Sequence, residues 1–130
     1  MCIRDRDMIQ AANEAKGNTK ILGVSLLTSL DDSDTRELYN NDFKKQFDNL
    51  IDVAMETKID GIVCSSQELK FIEDTSLIKV VPGIRNQHTF DDQKRVMTSD
   101  EAYSKGADYI VVGRPITQAK DIEEAIKDYS

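Results

Sequence analysis

The sequence has little of several residue types on which large classes of protein depend. It contains no tryptophan, two cysteines, two prolines and one histidine, and 6% of its residues are aromatic. Two cysteines, Cys2 and Cys64, cannot build a disulfide framework, and they fit neither the CxxC spacing nor any other metal-ligand spacing. We therefore predict that both are free thiols and that the chain holds no metal site.

Long apolar runs are also missing. No stretch approaches the roughly 20 apolar residues that span a bilayer, and no apolar signal-peptide core follows the N-terminal Met. The chain is acidic, with 17 Lys and Arg against 24 Asp and Glu, a net charge of −7 and a pI near 4.7. Such a balance repels nucleic acid and anionic lipid. We predict a cytoplasmic protein that binds neither nucleic acid nor membrane.

What the chain does have is the composition of a globular domain. It has 130 residues, of which 39% are apolar and 32% are charged, so we expect one domain or a piece of one. Apolar runs of strand length alternate with helical patterns. The runs are residues 20–29, 60–65, 77–85 and 108–113. Strands that alternate with helices predict an α/β fold with a parallel sheet and right-handed crossovers.

The helical segments are marked by apolar spacing and by caps. A first helix through Met8 should end at Gly17, and a long helix should carry an apolar stripe from residue 43 to residue 55. Capping patterns are predicted to open three further helices. The pairs are Ser65 with Glu68, Thr98 with Glu101, and Asp121 with Glu124, the last followed by an inward stripe of Ile122, Ala125, Ile126 and Tyr129.

A parallel sheet of this kind can belong to one of two architectures. A doubly wound sheet needs a glycine-rich phosphate turn after its leading strand, and neither GxGxxG nor GxxxxGK[ST] occurs in the sequence. A β/α barrel needs eight strands, and the four predicted here are half of that number. The polar segment 86–95 is predicted to be a loop in either case.

Two strand ends carry residues that suit an anion. The last strand ends in Gly113, which lets an anion approach the backbone N–H, then Arg114 with its permanent charge, then Pro115, which tolerates the first helical position. The preceding strand ends in PGIR, which places Arg85 in a similar position. One Gly-Arg pair is commonly an ordinary surface feature. Two of them at neighbouring strand ends indicate a phosphate site, as found between the last strands of β/α barrels.

These residues belong to longer stretches with a recognisable pattern. PGIR followed by DDQKRVMTSDEAYSKGADYIVVGRPITQAKD resembles the carboxyl-terminal part of the orotidine 5'-phosphate decarboxylase family, and GVSLLTS and DGIVCSSQE resemble that family's fifth and sixth strands. The resemblance implies a chain that holds about the last four β/α units of a (β/α)8 TIM barrel. Residues 7–130 would be the half-barrel, and residues 1–6 a non-native N-terminal scar.

The resemblance also implies roles for individual residues. The positions that match the family's phosphate-binding residues are Arg85, Gln93, Gly113 and Arg114. Thr28 matches the position that hydrogen-bonds the pyrimidine edge, and Pro82 lies by the base pocket. Without the resemblance, Thr28 would be interpreted as an ordinary strand-end hydroxyl. His88 matches no functional position and is predicted to face solvent.

One part of the family's pattern has no counterpart in this sequence. The resemblance implies decarboxylation at C6 of orotate without a cofactor, by a Lys-Asp-Lys-Asp array that crowds the carboxylate, stabilises the carbanion and protonates it. That array lies in a strand motif D-x-K-x-x-D-I-P-N of the first half of the barrel, and the motif does not occur here. Lys20, Lys58 and Lys79 precede or lie within predicted strands, the wrong context to replace it. We therefore expect no catalytic residue in this chain and no activity from the chain alone.

Three functions remain open at this point. The first is decarboxylation of orotidine 5'-phosphate to UMP, with this chain as part of a homodimeric full-length enzyme. The second is a sugar-phosphate decarboxylase of the 3-keto-gulonate 6-phosphate type, whose last strand has a similar Gly-Arg end. The PGIR to DDQ loop and the position of Thr28 count against it. The third is a non-catalytic half-barrel that binds phosphorylated ligands, since four strands without closure leave two open edges.

Overall fold

Short strands lie side by side in one parallel sheet. The computed structural model describes residues 6–27, 30–86 and 97–129, and in these ranges the strand order is β1-β2-β3-β4, the same as the order along the chain. The strands are β1 (Leu22–Val24), β2 (Gly61–Val63), β3 (Ile78–Pro82) and β4 (Tyr109–Val111). Neighbouring parallel strands require a crossover between them, and helices supply each crossover here. The predicted α/β alternation is therefore confirmed.

Several of the helices begin at side-chain caps that the sequence encodes. They are α1 (Arg6–Ala15), α2 (Asp32–Tyr39), α3 (Phe43–Glu56), a 3-10 helix (Leu69–Phe71), α4 (Ser99–Ser104), α5 (Arg114–Thr117) and α6 (Ile122–Lys127). Thr98 and Glu101 form the predicted capping box of α4, and the Asp121 side chain accepts from the Glu124 N–H at the start of α6. None of the helices in these ranges is both long enough and apolar enough to cross a membrane.

Three local predictions need correction. The first strand is shorter than the apolar run 20–29, because the chain turns away after Ser25 and buries Leu26 outside the sheet. The segment after β2 forms a turn and a 3-10 helix rather than an α-helix. There the Glu68 carboxylate accepts from the Ser65 N–H, but the Ser65 hydroxyl has no hydrogen-bond partner among the described residues, so only half of a capping box is made.

The third correction concerns the face of α6. Of its predicted inward stripe, Tyr129 packs against the core and Ala125 is half-buried, whereas Ile122 and Ile126 are 51% and 47% exposed. Helix α2 was not predicted at all, because its eight residues carry four charged side chains and no apolar stripe.

One face of the sheet carries the core, and the described residues leave the opposite face of β4 exposed. Ile62, Val81 and Ile110 point into a cluster that includes α3 side chains such as Phe47. On the opposite face of β4, Tyr109 and Val111 are 60% and 49% exposed. A doubly wound sheet has helices on both faces, whereas a barrel has them on the outer face alone. The one-sided covering therefore favours part of a barrel.

The centre of the sheet depends on a glycine. A Cβ at Gly61 would lie 2.5 Å from the Ile78 carbonyl oxygen and 2.7 Å from Leu22 Cδ2. Both distances are below van der Waals contact, so no other residue fits between β1 and β3 without moving a strand.

At the amino ends of the strands, two aspartates repeat one arrangement. Asp60 directly precedes β2; its Oδ2 accepts from the Ile21 N–H at 2.7 Å, and its own N–H donates to the Ile21 carbonyl at 3.0 Å. Asp108 directly precedes β4 and makes the same pair of bonds with Lys79, at 2.8 and 2.9 Å. Each aspartate thus fixes the register of two neighbouring strands at the edge where the strands begin, which we call the amino edge.

Asp60 makes one further contact. Its Oδ2 also accepts from Lys16 Nζ at 2.5 Å, which joins the segment after α1 to the sheet. The Lys16 ammonium and the Ile21 N–H hold the pKa of Asp60 below its ordinary value of 3.8.

The lowered pKa of Asp60 predicts a pH-dependent contribution to stability. The folded state binds this proton less tightly than the unfolded state, so the stabilisation is fully present above the unfolded pKa and is lost as pH falls through the folded pKa. We expect Asp60→Asn to lower the free energy of unfolding at pH 7 and to differ less from the parent chain below about pH 4. Urea denaturation at both pH values measures this. Asp52→Asn, on the exposed face of α3, is the control, and an equal loss at both pH values would contradict the assignment.

Candidate functional site

The predicted phosphate residues follow neighbouring strands at one edge of the sheet. In the β3-β4 ladder, Pro82 lies opposite Val111. Arg85 and Arg114 each come three residues after this pair, at 82 to 85 and at 111 to 114. Because the strands are parallel, both arginines leave the sheet in the same direction, at what we call the carboxyl edge. Pro82 is half-buried at the same edge.

A tight turn and a backbone hydrogen bond shape the end of β3. Gly83 has a φ of +78°, a conformation that favours glycine, and it lets the chain bend directly after Pro82. Ile84 is fully buried and pairs in a parallel bridge with Met97. The Arg85 N–H donates to the Met97 carbonyl at 2.9 Å. The backbone of Arg85 is thereby held against the segment that leads into α4, while its side chain is half-buried.

Asn86 joins the end of β3 to two helices. Its backbone N–H donates to the Tyr129 hydroxyl at 3.2 Å, after α6. Its side-chain Oδ1 accepts from the Ser99 N–H at 2.9 Å, and Nδ2 donates to Ser99 Oγ at 3.1 Å and to the Asp128 carbonyl. Sequence reasoning missed this residue, since its partners lie 13, 42 and 43 positions away and no local pattern links them.

The end of β4 presents an open backbone beside an arginine. Gly113 is the N-cap of α5, and its carbonyl accepts from Ile116 and Thr117 at 3.0 and 3.1 Å. A Cβ at Gly113 would meet no described atom within 4 Å. Packing among the described residues therefore does not require glycine there. Arg114 is exposed as the first residue of α5, and Pro115 takes the second position instead of the predicted first.

At the other end of the carboxyl edge, a buried carboxylate links β1 to β2. Glu68 is fully buried, and its Oε2 accepts from the Ser65 N–H at 2.8 Å and from Ser25 Oγ at 3.5 Å. Burial, reinforced by the negative charge of Glu68, raises the pKa of the Cys64 thiol to about 12. This thiol stays protonated at neutral pH and is unsuited to act as a nucleophile or metal ligand. The prediction that Cys64 is a free thiol is confirmed.

A cleft of about 450 Å³ lies beside α2 and the 3-10 helix. Its lining residues are Asp31, Asp32, Phe43, Gln67, Glu68, Lys70 and Phe71. Lys44 and Lys70 each place an ammonium over the Phe71 ring, at 4.7 and 4.9 Å from its centroid. None of the phosphate residues that the structure describes, Arg85, Gly113 and Arg114, lines this cleft, so it is separate from the arginine pair. Among the residues that the structure describes, no group of three His, Cys, Asp or Glu side chains is placed to hold a metal ion.

The described part of the site is thus formed by Pro82, Arg85, Gly113 and Arg114, which the structure places at one edge. The predicted site residues Thr28 and Gln93 lie outside the described residues, and so does His88. Chemically, the described residues offer two guanidinium groups and an accessible backbone, a set that suits an anion and supplies no acid or base near neutral pH.

Comparisons with known proteins agree with this arrangement. A sequence model of the Orotidine 5'-phosphate decarboxylase / HUMPS family matches residues 1–129. A curated relative from Aquifex aeolicus, named Orotidine 5'-phosphate decarboxylase, is 42% identical over 131 residues, which cover 93% of this chain and 57% of the relative. A relative of the same name from Streptococcus pneumoniae is 42% identical over 133 residues, which cover 94% of this chain and 57% of the relative.

The solved structures agree as well. The crystal structure of orotidine 5'-phosphate decarboxylase from Lactobacillus acidophilus has a TM-score of 0.73 and 29% identity to this chain, over 96% of this chain and 59% of that one. That neighbour is a TIM barrel, so the prediction that this chain forms part of a (β/α)8 barrel is confirmed. The chain spans a little over half the length of these relatives. It belongs to the orotidine 5'-phosphate decarboxylase / HUMPS family.

Proposed function

We propose that this chain is the carboxyl-terminal part of an orotidine 5'-phosphate decarboxylase and supplies the phosphate site and part of the pyrimidine site. The observation that carries the proposal is the arginine pair: Arg85 and Arg114 leave neighbouring parallel strands at one edge, beside the open backbone of Gly113. A phosphate dianion suits this set, because each guanidinium can donate two charge-assisted hydrogen bonds to it. Family membership supports a nucleotide as the phosphate's carrier.

Individual roles follow from the resemblance to the family. The phosphate-binding residues are Arg85, Gln93, Gly113 and Arg114. Thr28 and Pro82 contact the pyrimidine, and the place of Pro82 at the end of β3, next to the arginine turn, supports its role. The proposal further includes a cytoplasmic homodimer that needs no cofactor.

In the complete enzyme, the bond between C6 of orotate and its carboxylate breaks. CO2 leaves, the electron pair stays on C6, and a lysine of the Lys-Asp array supplies the proton that completes UMP. That array would come from the amino-terminal half of the barrel. This chain contributes at a distance, because binding energy gained at the phosphate can be used to hold the substrate in the reactive geometry.

A second candidate is a half-barrel that binds phosphorylated ligands without catalysis. The uncovered face of β4, with Tyr109 and Val111 exposed, favours association of this sheet with further strands. The two candidates share one phosphate site and differ in the base pocket. A comparison of UMP with sugar phosphates tests the base pocket, and would also identify a sugar-phosphate decarboxylase.

Removing either arginine should weaken nucleotide binding. A hydrogen bond to a charged group contributes about 1.5–3 kcal/mol, so Arg85→Ala and Arg114→Ala should each raise the Kd for UMP by roughly 10- to 100-fold. Isothermal titration calorimetry measures the change. Arg36→Ala removes a guanidinium that pairs with Asp32 within α2 and should leave the Kd unchanged. Full UMP affinity in both site variants would rule out the arginine pair.

The substitution Gly113→Ala should weaken ligand binding without a large change in the stability of the fold. The Gly113 φ of −100° lies outside the left-handed region that favours glycine, and the added Cβ would meet no described atom within 4 Å. We expect the free energy of unfolding to change by less than about 0.5 kcal/mol, while UMP binding weakens about tenfold, because the methyl group occupies the path of the phosphate. Urea denaturation and calorimetry measure the two effects. Unaltered UMP binding, with stability also intact, would show that the phosphate does not approach this backbone.

The 130-residue chain alone should not decarboxylate orotidine 5'-phosphate, because the Lys-Asp motif does not occur in its sequence. The measurement is loss of substrate absorbance, using protein purified from a host whose own decarboxylase gene has been deleted. The expected rate equals that of buffer. Activity that follows this chain through every purification step would contradict the assignment of the reactive array to the amino-terminal half.

A further inference from the structure

We propose that Asn86 is a positioning residue for Arg85, which sets the direction of the guanidinium by fastening the end of β3 to α4 and α6. The inference rests on the proposed phosphate role of Arg85. Asn86 itself is not placed in the phosphate site. It acts through the hydrogen bonds that it makes with Tyr129, Ser99 and Asp128.

The two peptide groups on either side of the Arg85 Cα both donate hydrogen bonds to other parts of the chain. The first carries the Arg85 N–H, which donates to the Met97 carbonyl at 2.9 Å. The second carries the Asn86 N–H, which donates to the Tyr129 hydroxyl at 3.2 Å. Since these peptide planes define φ and ψ of Arg85, their partners fix the direction in which its Cβ leaves the backbone.

The side chain of Asn86 anchors this arrangement to both helices. Its oxygen accepts from the Ser99 N–H at 2.9 Å, in the first turn of α4, where Ser99 is 5% exposed. Its nitrogen donates to Ser99 Oγ at 3.1 Å and to the Asp128 carbonyl after α6. An amide is needed, because a carboxylate would lose the donor and place a negative charge beside the Asp128 carbonyl oxygen.

A fixed Arg85 backbone has a consequence for ligand binding. A long side chain that must be ordered on binding costs affinity, and a backbone that already points it at the ligand reduces this cost. Loosening Asn86 should therefore weaken binding of the phosphate group and leave recognition of the nucleoside unchanged. A general structural role would affect UMP and uridine equally.

The test combines Asn86→Ala with Arg85→Ala in the 130-residue chain and measures UMP and uridine affinities by calorimetry. Asn86→Ala should raise the Kd for UMP about tenfold and that for uridine by less than about twofold. In the Arg85→Ala background, Asn86→Ala should change the Kd for UMP by less than about twofold, because the two residues act as one unit. Asn49→Ala, the same change on the exposed face of α3, is the matched control.

A second variant covers the case in which Asn86→Ala does not fold. Tyr129→Phe removes only the hydroxyl that accepts from the Asn86 N–H and keeps the ring, which packs against the core. It should give a smaller loss that again affects UMP and not uridine. In the same variant, hydrogen exchange of the Asn86 amide should accelerate, which reports the loosened backbone without any ligand.

The outcomes are distinct. Equal weakening of UMP and uridine, or an Asn86→Ala effect that persists without Arg85, would overturn the positioning role while the phosphate site stands. An Arg85→Ala variant that binds UMP as well as the parent chain would overturn the proposed function and this inference with it. A tenfold loss confined to UMP and dependent on Arg85 supports both.

Discussion

The parallel hydrogen-bond ladder from β1 to β4 is the constraint on which the rest of the molecule depends. Strands of three to five residues make few ladder bonds, so the register needs help from outside the strands. Asp60 and Asp108 provide it at the amino edge, each by exchanging two hydrogen bonds with the residue that enters the preceding strand or lies within it. Once these pairs are in place, every strand ends at the opposite edge, and Arg85 and Arg114 follow the ends of two neighbouring strands.

The two edges of the sheet therefore have different roles. In β/α barrels, residues at the amino edge commonly stabilise the fold, and residues at the carboxyl edge form the active site. Glu68 departs from this division. It lies at the carboxyl edge but is wholly buried, and its bonds to Ser65 and Ser25 join β1 to β2 there. A buried polar side chain is stabilised by such hydrogen bonds, and here they connect the ends of β1 and β2. The half that carries the arginines has its polar groups nearer solvent.

Local rules explain which parts of the fold could be predicted from the sequence. Thr98 with Glu101, and Asp121 with Glu124, are caps that involve residues three apart, so their signal is contained in one short window. The capping rule fails at Ser65 and Glu68. These residues have the same spacing, but the Glu68 carboxylate is buried and links two strands instead of capping an α-helix. Asn86 shows a second limit, since all its side-chain partners are distant in sequence. The arginine pair was predictable because parallel topology alone brings consecutive strand ends together.

The two arginines are held in different ways, and the difference bears on how a phosphate would be bound. Arg85 follows a glycine turn and a buried Ile84; its N–H donates to the Met97 carbonyl, and the next residue, Asn86, is hydrogen-bonded to Ser99 and Tyr129. Arg114 begins an exposed four-residue helix, where Pro115 restricts the backbone directly after it. The backbone at Arg85 is thus fixed by tertiary contacts, and the backbone at Arg114 is restricted by the proline that follows it. A phosphate that contacts both arginines can bind only when β3 and β4 are paired in their native register. Phosphate recognition therefore depends on the sheet and not on either loop alone.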